Sequence, residues 1–245
     1  MQIAAIYDIH GNLPALEAVL QEIRQVKVDL VVVGGDVLPG PMPRETLACL
    51  RDLDLPVQLI RGNGDREVLE QKTGMEGGAI PEDYREVMRW VAKQVDPEHE
   101  RWIAGWPQTL RVTIRGLGEV LFCHATPRSD TEIFTRLTSE DRLSSIFAGL
   151  DVQLVVCGHT HMQFDRTIAG ARVVNAGSVG MPFGEPGAYW LLLGPGVELR
   201  KTSYDLEQAA ERIRASEYPQ AQEFAARNLL QPPSEREMLE LFTKV

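Results

Sequence analysis

Val152-Gln153-Leu154-Val155-Val156-Cys157 is a short apolar run, and Gly158-His159-Thr160-His161 follows it directly. The run has the length and composition of a buried β-strand. Two imidazoles at positions i and i+2 just beyond a strand can face one cavity. Because neutral imidazole is a good ligand for divalent transition metals, this stretch predicts a metal site at the end of a strand.

Other residues with metal-binding side chains also follow apolar runs. Asp8 and His10 come after residues 3–6, Asp36 comes after residues 30–33, and His124 ends an apolar run. Ligands of open α/β sheets gather beyond the carboxyl ends of parallel strands. We therefore expect these side chains to meet His159 and His161 at one edge of the fold.

The order of the elements changes halfway along the chain. In the first part, strand, loop and helix repeat, which predicts parallel strands with crossover helices. In the second part, glycine-containing turns join neighbouring strands, which predicts antiparallel hairpins. The predicted hairpins are 109–115 with 119–124 and 164–168 with 172–175, and the predicted edge strands are 190–193 and 197–202. We interpret residues 1–245 as one domain with two sheets packed face to face, helices outside and a helical tail from about residue 205.

Residues 67–106 are predicted to be helical, with a break at Gly77-Gly78, and they contain Trp90, Trp102 and Trp106. Packing of these tryptophans on the core is the favoured interpretation, and a lid over the site is the alternative.

Composition narrows the class of protein. The chain has 245 residues and a formal net charge of −10, which argues against a non-specific nucleic-acid binder but not against a small phosphorylated substrate at a cationic metal site. Three cysteines on apolar segments do not resemble a disulfide framework, and no signal peptide or membrane-spanning stretch is evident. These features predict a cytoplasmic protein with reduced thiols. Cys123 and Cys157 are expected to point into the core, and His99 to lie on the solvated surface.

The candidate motifs are individually weak and become specific as an ordered set. They are Asp8-Ile9-His10, Gly34-Gly35-Asp36, Gly62-Asn63-Gly64-Asp65, the strand-end His124, and Gly158-His159-Thr160-His161. With Asn175-Ala176-Gly177-Ser178-Val179-Gly180, they resemble the calcineurin-like metallophosphoesterase superfamily over residues 1 to about 193. The resemblance is greatest to its small bacterial and archaeal phosphoesterases.

This resemblance implies a fold and a metal centre. The fold is α/β (α+β), with two mixed sheets packed face to face and flanked by helices in a four-layer sandwich. Two divalent ions per chain are implied, drawn from manganese, iron, zinc or nickel. The implied ligands are Asp8, His10 and His161 for the first ion, Asn63, His124 and His159 for the second, and Asp36 as the bridge.

The implied activity is hydrolysis of a phosphodiester or phosphomonoester, with the diester favoured, by a hydroxide held between the ions. The catalytic candidates are Asp36, Asn63, His124 and Asn12. Asn12 is alternatively a turn amide. Arg61 is another candidate for contact with a phosphoryl oxygen, although a surface charge is the favoured interpretation.

Gly64 departs from the family, in which many members have a histidine after the asparagine. That histidine is thought to help protonate the leaving oxygen, a step typically worth about 10²–10⁴ in rate. Its absence predicts a preference for diesters with acidic leaving groups. The alternative is that glycine serves a tight turn and that another residue supplies the acid.

Other functions on the same fold stay open. They are a Ser/Thr-type protein phosphatase, a nucleotide phosphatase, and a non-catalytic protein-binding scaffold like the retromer subunit that resembles this family. The expected partner is a small phosphorylated substrate, nucleotide-derived esters included, with no nucleic-acid scaffold and no membrane. The sequence leaves the oligomeric state open.

Overall fold

The computed structural model of the chain describes residues 1–74 and 82–244. Gly77-Gly78, where a helix break is predicted, lies outside the described residues. The strands are β1 (Ile3–Ile6), β2 (Leu30–Val33), β3 (Val57–Leu59), β4 (Thr109–Ile114), β5 (Gly118–Cys123), β6 (Leu154–Cys157), β7 (Phe164–Ile168), β8 (Ala171–Asn175), β9 (Ala188–Leu193) and β10 (Val197–Thr202).

Helices connect these strands and extend the chain beyond them. They are α1 (Leu13–Val26), α2 (Pro43–Arg51), α3 (Asn63–Lys72), α4 (Glu82–Gln94), α5 (Pro97–Ala104), α6 (Glu140–Phe147), α7 (Leu206–Arg214), α8 (Ala221–Phe224) and α9 (Glu235–Phe242). A π-helical segment, Ala225–Leu230, follows α8 directly.

The strands form two mixed five-stranded sheets, as predicted. The first has the order β10-β9-β1-β2-β3, with β1, β2 and β3 parallel and with β9 antiparallel to β1. The second has the order β4-β5-β6-β8-β7, with β5, β6 and β8 parallel and an antiparallel partner at each edge. The strand 190–193 was expected at an edge, but β9 lies inside the first sheet because β10 pairs with its other side.

An apolar core lies between the two sheets. It combines Ile3 and Val32 of the first sheet with Phe122 and Val156 of the second, all of them buried. Separate apolar clusters fill the space between the first sheet and its helices and between the second sheet and α6. Burial of strands on both faces explains their continuous apolar runs.

Loops at the carboxyl ends of the strands are tied to one another by backbone hydrogen bonds. The N–H of Asp8 donates to the carbonyl of Gly35, and the N–H of His10 donates to the carbonyl of Asp36. In the second sheet, the N–H of Gly158 donates to the carbonyl of His124. Because the N–H of His159 also donates to Asp8 Oδ2 at 2.9 Å, the motif-bearing loops of both sheets form one hydrogen-bonded layer at a single edge of the fold.

Three features differ from the expectations or decide between them. Helix α3 begins at Asn63 and not at Glu67, so the glycine-rich motif is its first turn. His99 is not a solvated residue, because its side chain is only 12% exposed and its Nδ1 atom lies 3.0 Å from Asp96. Trp106 is buried, and Trp90 and Trp102 pack against the same apolar cluster, which confirms core packing for the tryptophans.

Among the described residues, no helix is long and apolar enough to cross a membrane.

Candidate metal centre

Two groups of potential metal ligands lie side by side at the carboxyl edge of the sheets. Within each group, one ligand atom per residue lies within 4.8 Å of every other. The groups are Asp8, His10 and His161, and Asp36, His124 and His159. They match the division that the family resemblance implies for these residues.

Asp36 lies between the two groups. Its Oδ2 atom is 3.7 Å from His10 Nε2, and its Oδ1 atom is 3.5 Å from His124 Nε2. Each oxygen of one carboxylate therefore faces a different group. This is the arrangement that a carboxylate shared by two cations requires.

The backbone is strained where these side chains are presented. Among the described non-glycine residues, seven have a positive φ, and five of them are members of the two groups. Those five are Asp8, His10, Asp36, His159 and His161, with φ between 47° and 66°. Such conformations cost free energy and cluster at functional sites, where the surrounding structure enforces them. The strain indicates that the fold is built to aim these side chains inward.

Backbone carbonyls set the orientation of three imidazoles. The Nδ1 atoms lie 3.3 Å from the oxygen of Pro39 for His10, 3.0 Å from that of Gly34 for His124 and 2.7 Å from that of Met181 for His161. A carbonyl oxygen can only accept a hydrogen bond, so in the neutral ring Nδ1 donates and Nε2 keeps its lone pair. All three Nε2 atoms then face the carboxylates of the centre, with the lone pair that a metal needs.

The first group contains buried acceptor atoms that lack hydrogen-bond donors. Asp8 Oδ1 is buried without a hydrogen-bond partner, although His161 Nε2 is 3.4 Å away. His10 Nε2 and His161 Nε2 are 3.2 Å apart, and two imidazole lone pairs at that distance need a cation or a proton between them. Orphaned buried acceptors are rare unless an ion or water satisfies them. The donor set therefore fits divalent cations.

The side-chain amide of Asn63 also lies at the centre. One of its two polar atoms is 3.2 Å from His124 Nε2 and 3.1 Å from His159 Nδ1, and either the N–H group or the oxygen can occupy this place, depending on how the amide is turned. Without a cation, the N–H group satisfies these imidazole nitrogens, whereas a bound cation would be faced by the oxygen. Asn63 is therefore placed beside the second group, where it can supply a neutral oxygen to an ion.

Charge interactions within the centre shift the pKa values of its histidines in opposite directions. Burial alone would lower the pKa of His124, but the carboxylate of Asp36 raises it to about 10. Burial, together with the positive charge of His124, lowers the pKa of His159 to about 4. Without metal, the charged pair Asp36 and His124 therefore holds the proton that a cation must displace.

Asp65 organises the centre, although sequence analysis treated it only as part of a turn. Its Oδ2 atom accepts from the N–H of Asp36 at 2.9 Å and of Gly62 at 3.0 Å, and its Oδ1 atom accepts from the N–H of Leu38 at 3.0 Å. It is fully buried, and burial together with the nearby charge of Asp36 raises its pKa to about 7. The capping pattern of α3, with aspartate three residues after Gly62, was the signal for this role.

Gly64 is explained by close packing. A Cβ atom built on it would lie 2.4 Å from the carbonyl oxygen of Leu38 and 2.9 Å from Pro39 Cδ. The N–H of Gly64 also donates to Asp36 Oδ1 at 2.8 Å. With Leu38 and Pro39 in these positions, a histidine does not fit at position 64 of this chain, and this close packing accounts for the departure from the family pattern.

Asn12 has a structural position, and its catalytic role stays a prediction. Its Oδ1 atom caps α1 by accepting from the N–H of Ala15 at 3.2 Å, and its Nδ2 atom donates to the carbonyl of Gly180 at 2.9 Å. Both polar atoms of this buried amide are thus engaged in the fold. These are the contacts that the turn-amide alternative predicts.

Side chains of the glycine-rich turn after β8 donate hydrogen bonds to the backbone of the loops that carry the potential ligands. Ser178 Oγ donates to the carbonyl of Asp8 at 2.8 Å, and Asn175 Nδ2 donates to the carbonyl of Gly158 at 2.6 Å. Sequence analysis named this turn only as part of a motif and assigned no role to Ser178 or Asn175.

Cys123 and Cys157 are buried in the apolar cluster under α6, as strand alternation predicted.

The calcineurin-like phosphoesterase superfamily domain matches residues 1–193. An uncharacterised protein of Methanocaldococcus jannaschii is 28% identical over 241 aligned positions, covering 89% of this chain and 94% of the relative.

Solved structures share the fold. A hypothetical protein from Pyrococcus horikoshii OT3 has a TM-score of 0.81 at 20% identity, with 95% of this chain and 99% of that chain covered. A metallophosphoesterase from Sphaerobacter thermophilus has a TM-score of 0.73 at 25% identity, with 92% and 98% covered. The domain match extends over most of the chain and includes every residue of both ligand groups: the protein belongs to the calcineurin-like phosphoesterase superfamily.

Proposed function

We propose that the protein is a binuclear metal-dependent phosphoesterase that prefers phosphodiesters with acidic leaving groups. The observation that carries this proposal is the position of Asp36, whose two oxygens face two separate groups of ligands. Membership in a phosphoesterase family supports the reaction class.

In this proposal, Asp8, His10 and His161 hold one divalent ion, Asn63, His124 and His159 hold the second, and Asp36 is shared. Bound cations would supply an activated water and neutralise charge on the phosphoryl group. The protein's own part is to orient the ligands through the backbone carbonyls of Pro39, Gly34 and Met181. Asn63 would coordinate the second ion through a neutral amide oxygen, which adds a ligand atom without adding negative charge.

The preference for acidic leaving groups follows from position 64. The close approach of Leu38 leaves no room for the histidine that many family members carry there. Without an acid at that place, a basic alkoxide would leave unassisted, whereas an aryl oxide needs little help. Diesters with aryl leaving groups are therefore the favoured substrates, and simple alkyl monoesters the poorest.

A series of ethyl aryl phosphates and aryl monophosphates with varied leaving-group pKa tests this function, assayed with manganese, zinc, nickel and iron in turn. We expect hydrolysis of the diesters, with a rate that falls steeply as the leaving-group pKa rises. Asp36→Asn should lose activity by more than about 100-fold, since even residues that only support metal ligands cost roughly 10–100-fold when replaced. A shallow dependence would show that an acid is present, and inactivity with every metal would favour the scaffold alternative.

A further inference from the structure

A cavity of about 210 Å³ lies next to the candidate metal centre, between α4 and the C-terminal tail. Pro39 and Met181 form part of its lining. Their backbone carbonyls are the ones that orient His10 and His161. Pro39 therefore lies between the cavity and His10, and Met181 lies between the cavity and His161.

The C-terminal tail forms most of this cavity, although it lies outside residues 1–193 that the family domain matches. The tail also packs onto the centre through α9. Phe183 stacks on His161 with ring centroids 5.2 Å apart, and Phe242 of α9 contacts Phe183 at 6.2 Å. The tail is thus positioned to contribute to whatever the centre binds.

Aromatic side chains line the apolar part of the cavity. Tyr84 comes from α4, whereas Tyr218 and Phe224 come from the tail. Tyr218 is held edge-on between Phe224, at 6.0 Å, and Trp90, at 5.6 Å. Rings fixed in this way suit a planar aromatic group, which stacks or packs edge-on against them.

Polar groups line the rest of the cavity. Arg227 and Asn228 lie in the π-helical segment, and neither side chain has a hydrogen bond or ion pair within the described part of the chain. The hydroxyl of Tyr84 likewise has no partner among the described residues. Glu223 adds a carboxylate that only accepts when ionised. π-helical turns are rare and frequently occur at functional sites.

The charges decide what kind of group fits. Arg227 and Tyr84 offer donors, Asn228 offers a donor and an acceptor, and Glu223 offers an acceptor whose charge opposes a second phosphate. A neutral ring with both donors and acceptors on its edge satisfies this set. The volume lies below the roughly 300–1,000 Å³ of sites for drug-sized ligands, so the group is compact.

We propose that this cavity binds the non-reacting arm of the phosphoester substrate, and that this arm is a planar heteroaromatic group of about nucleoside size. This inference rests on the proposed function and adds a substrate class to it. Arg227, Asn228 and Tyr84 would recognise the arm without contacting the phosphorus, so they would set KM and specificity and leave the chemical step unchanged.

Two esters with the same leaving group test the proposal kinetically. Ethyl p-nitrophenyl phosphate and the p-nitrophenyl ester of thymidine 5′-phosphate both release p-nitrophenolate and differ only in the other arm. For the wild type we expect a KM at least tenfold lower with the thymidine ester. Arg227→Gln and Tyr84→Phe should remove most of that difference by raising the KM for the thymidine ester. Arg214→Gln, which removes a tail arginine that does not line the cavity, is the matched control.

Calorimetry provides a readout that does not depend on turnover. We expect the full-length protein to bind thymidine 5′-monophosphate at least fivefold more tightly than phenyl phosphate or ethyl phosphate, and Arg227→Gln to abolish this preference. Equal affinities for the three phosphates in the wild type would overturn the proposal, as would equal KM values for the two esters. If no ester is hydrolysed with any metal, the proposed function fails. The ratio of the affinities for thymidine 5′-monophosphate and for the two simpler phosphates then still shows whether the cavity binds a heteroaromatic group.

Discussion

The carboxylate of Asp65 holds the backbone of Asp36 through a 2.9 Å hydrogen bond from the Asp36 N–H to Oδ2. The same carboxylate accepts from Leu38 and from Gly62, so it joins the loop after β2 to the first turn of α3. Asp36 and Asn63, which stand on these two segments, are thereby fixed relative to each other. One buried side chain thus sets the geometry between the proposed bridging ligand and the second group.

Asp65→Asn is expected to destabilise the protein by about 1–3 kcal/mol, because an amide presents N–H groups to at least one of the three backbone donors. Urea unfolding of the metal-free protein measures this cost. The affinity for the second metal should fall as well. Asp54→Asn is the control, since it removes an exposed ion pair with Arg24, and such pairs contribute roughly 0–1 kcal/mol. A variant as stable as this control would show that Asp65 does not organise the loops.

Gly64→Ala is expected to cost about 1–3 kcal/mol of unfolding free energy, since overpacking forces the backbone to move. The displaced segment carries Asp36, so metal affinity should fall in parallel. Gly196→Ala is the matched control, because a Cβ atom at Gly196 meets nothing within 4 Å. Equal stability of the two variants would mean that the packing at Gly64 is not tight and that a histidine there is sterically possible.

The metal-free protein is expected to lose stability as the pH rises from about 6.5 to 10. Asp36 raises the folded-state pKa of His124 to about 10, above the ordinary histidine value of about 6.5. A group whose pKa is raised on folding stabilises fully below its unfolded pKa, and this contribution is lost as the pH passes the folded pKa. Thermal unfolding between pH 6 and 10 measures the effect, and His124→Asn should remove it. An alkaline profile that is unchanged in this variant would contradict the assignment.

Acidification should weaken metal binding, because protons compete for the imidazoles. At pH 7, binding at the second group should release a proton from His124, measurable as a dependence of the binding enthalpy on the buffer. Activity lost at pH 5.5 should return in part with excess metal. No recovery with added metal would show that protonation of the ligands is not the cause.

The buried cysteines are expected to be chemically inert. Burial raises the pKa values of the Cys123 and Cys157 thiols, and both are fully enclosed under α6. Native protein should therefore resist alkylation at these two positions, and Cys157→Ala should keep its activity. Loss of activity in a folded Cys157→Ala variant would contradict this and indicate a catalytic thiol.

The sequence was sufficient to predict the two sheets and the ligand groups, because both depend on local patterns. Apolar runs mark buried strands, and in this fold class the residues just after them meet at one edge. The role of Asp65 depends on hydrogen bonds to a loop 29 residues away, which no local pattern records. Gly64 was interpreted through the histidine that it replaces, whereas its cause is the approach of Leu38. The cavity joins α4 to a tail more than 100 residues further on, and only the folded chain brings them together.

Metal stoichiometry tests the central claim most directly. Elemental analysis of protein equilibrated with excess manganese and then freed of unbound ions should give two equivalents per chain for the wild type. Asp36→Asn should lose both, and His161→Ala should keep about one, at the second group. One equivalent or fewer in the wild type under saturating metal, or two equivalents in Asp36→Asn, would contradict a binuclear centre bridged by Asp36.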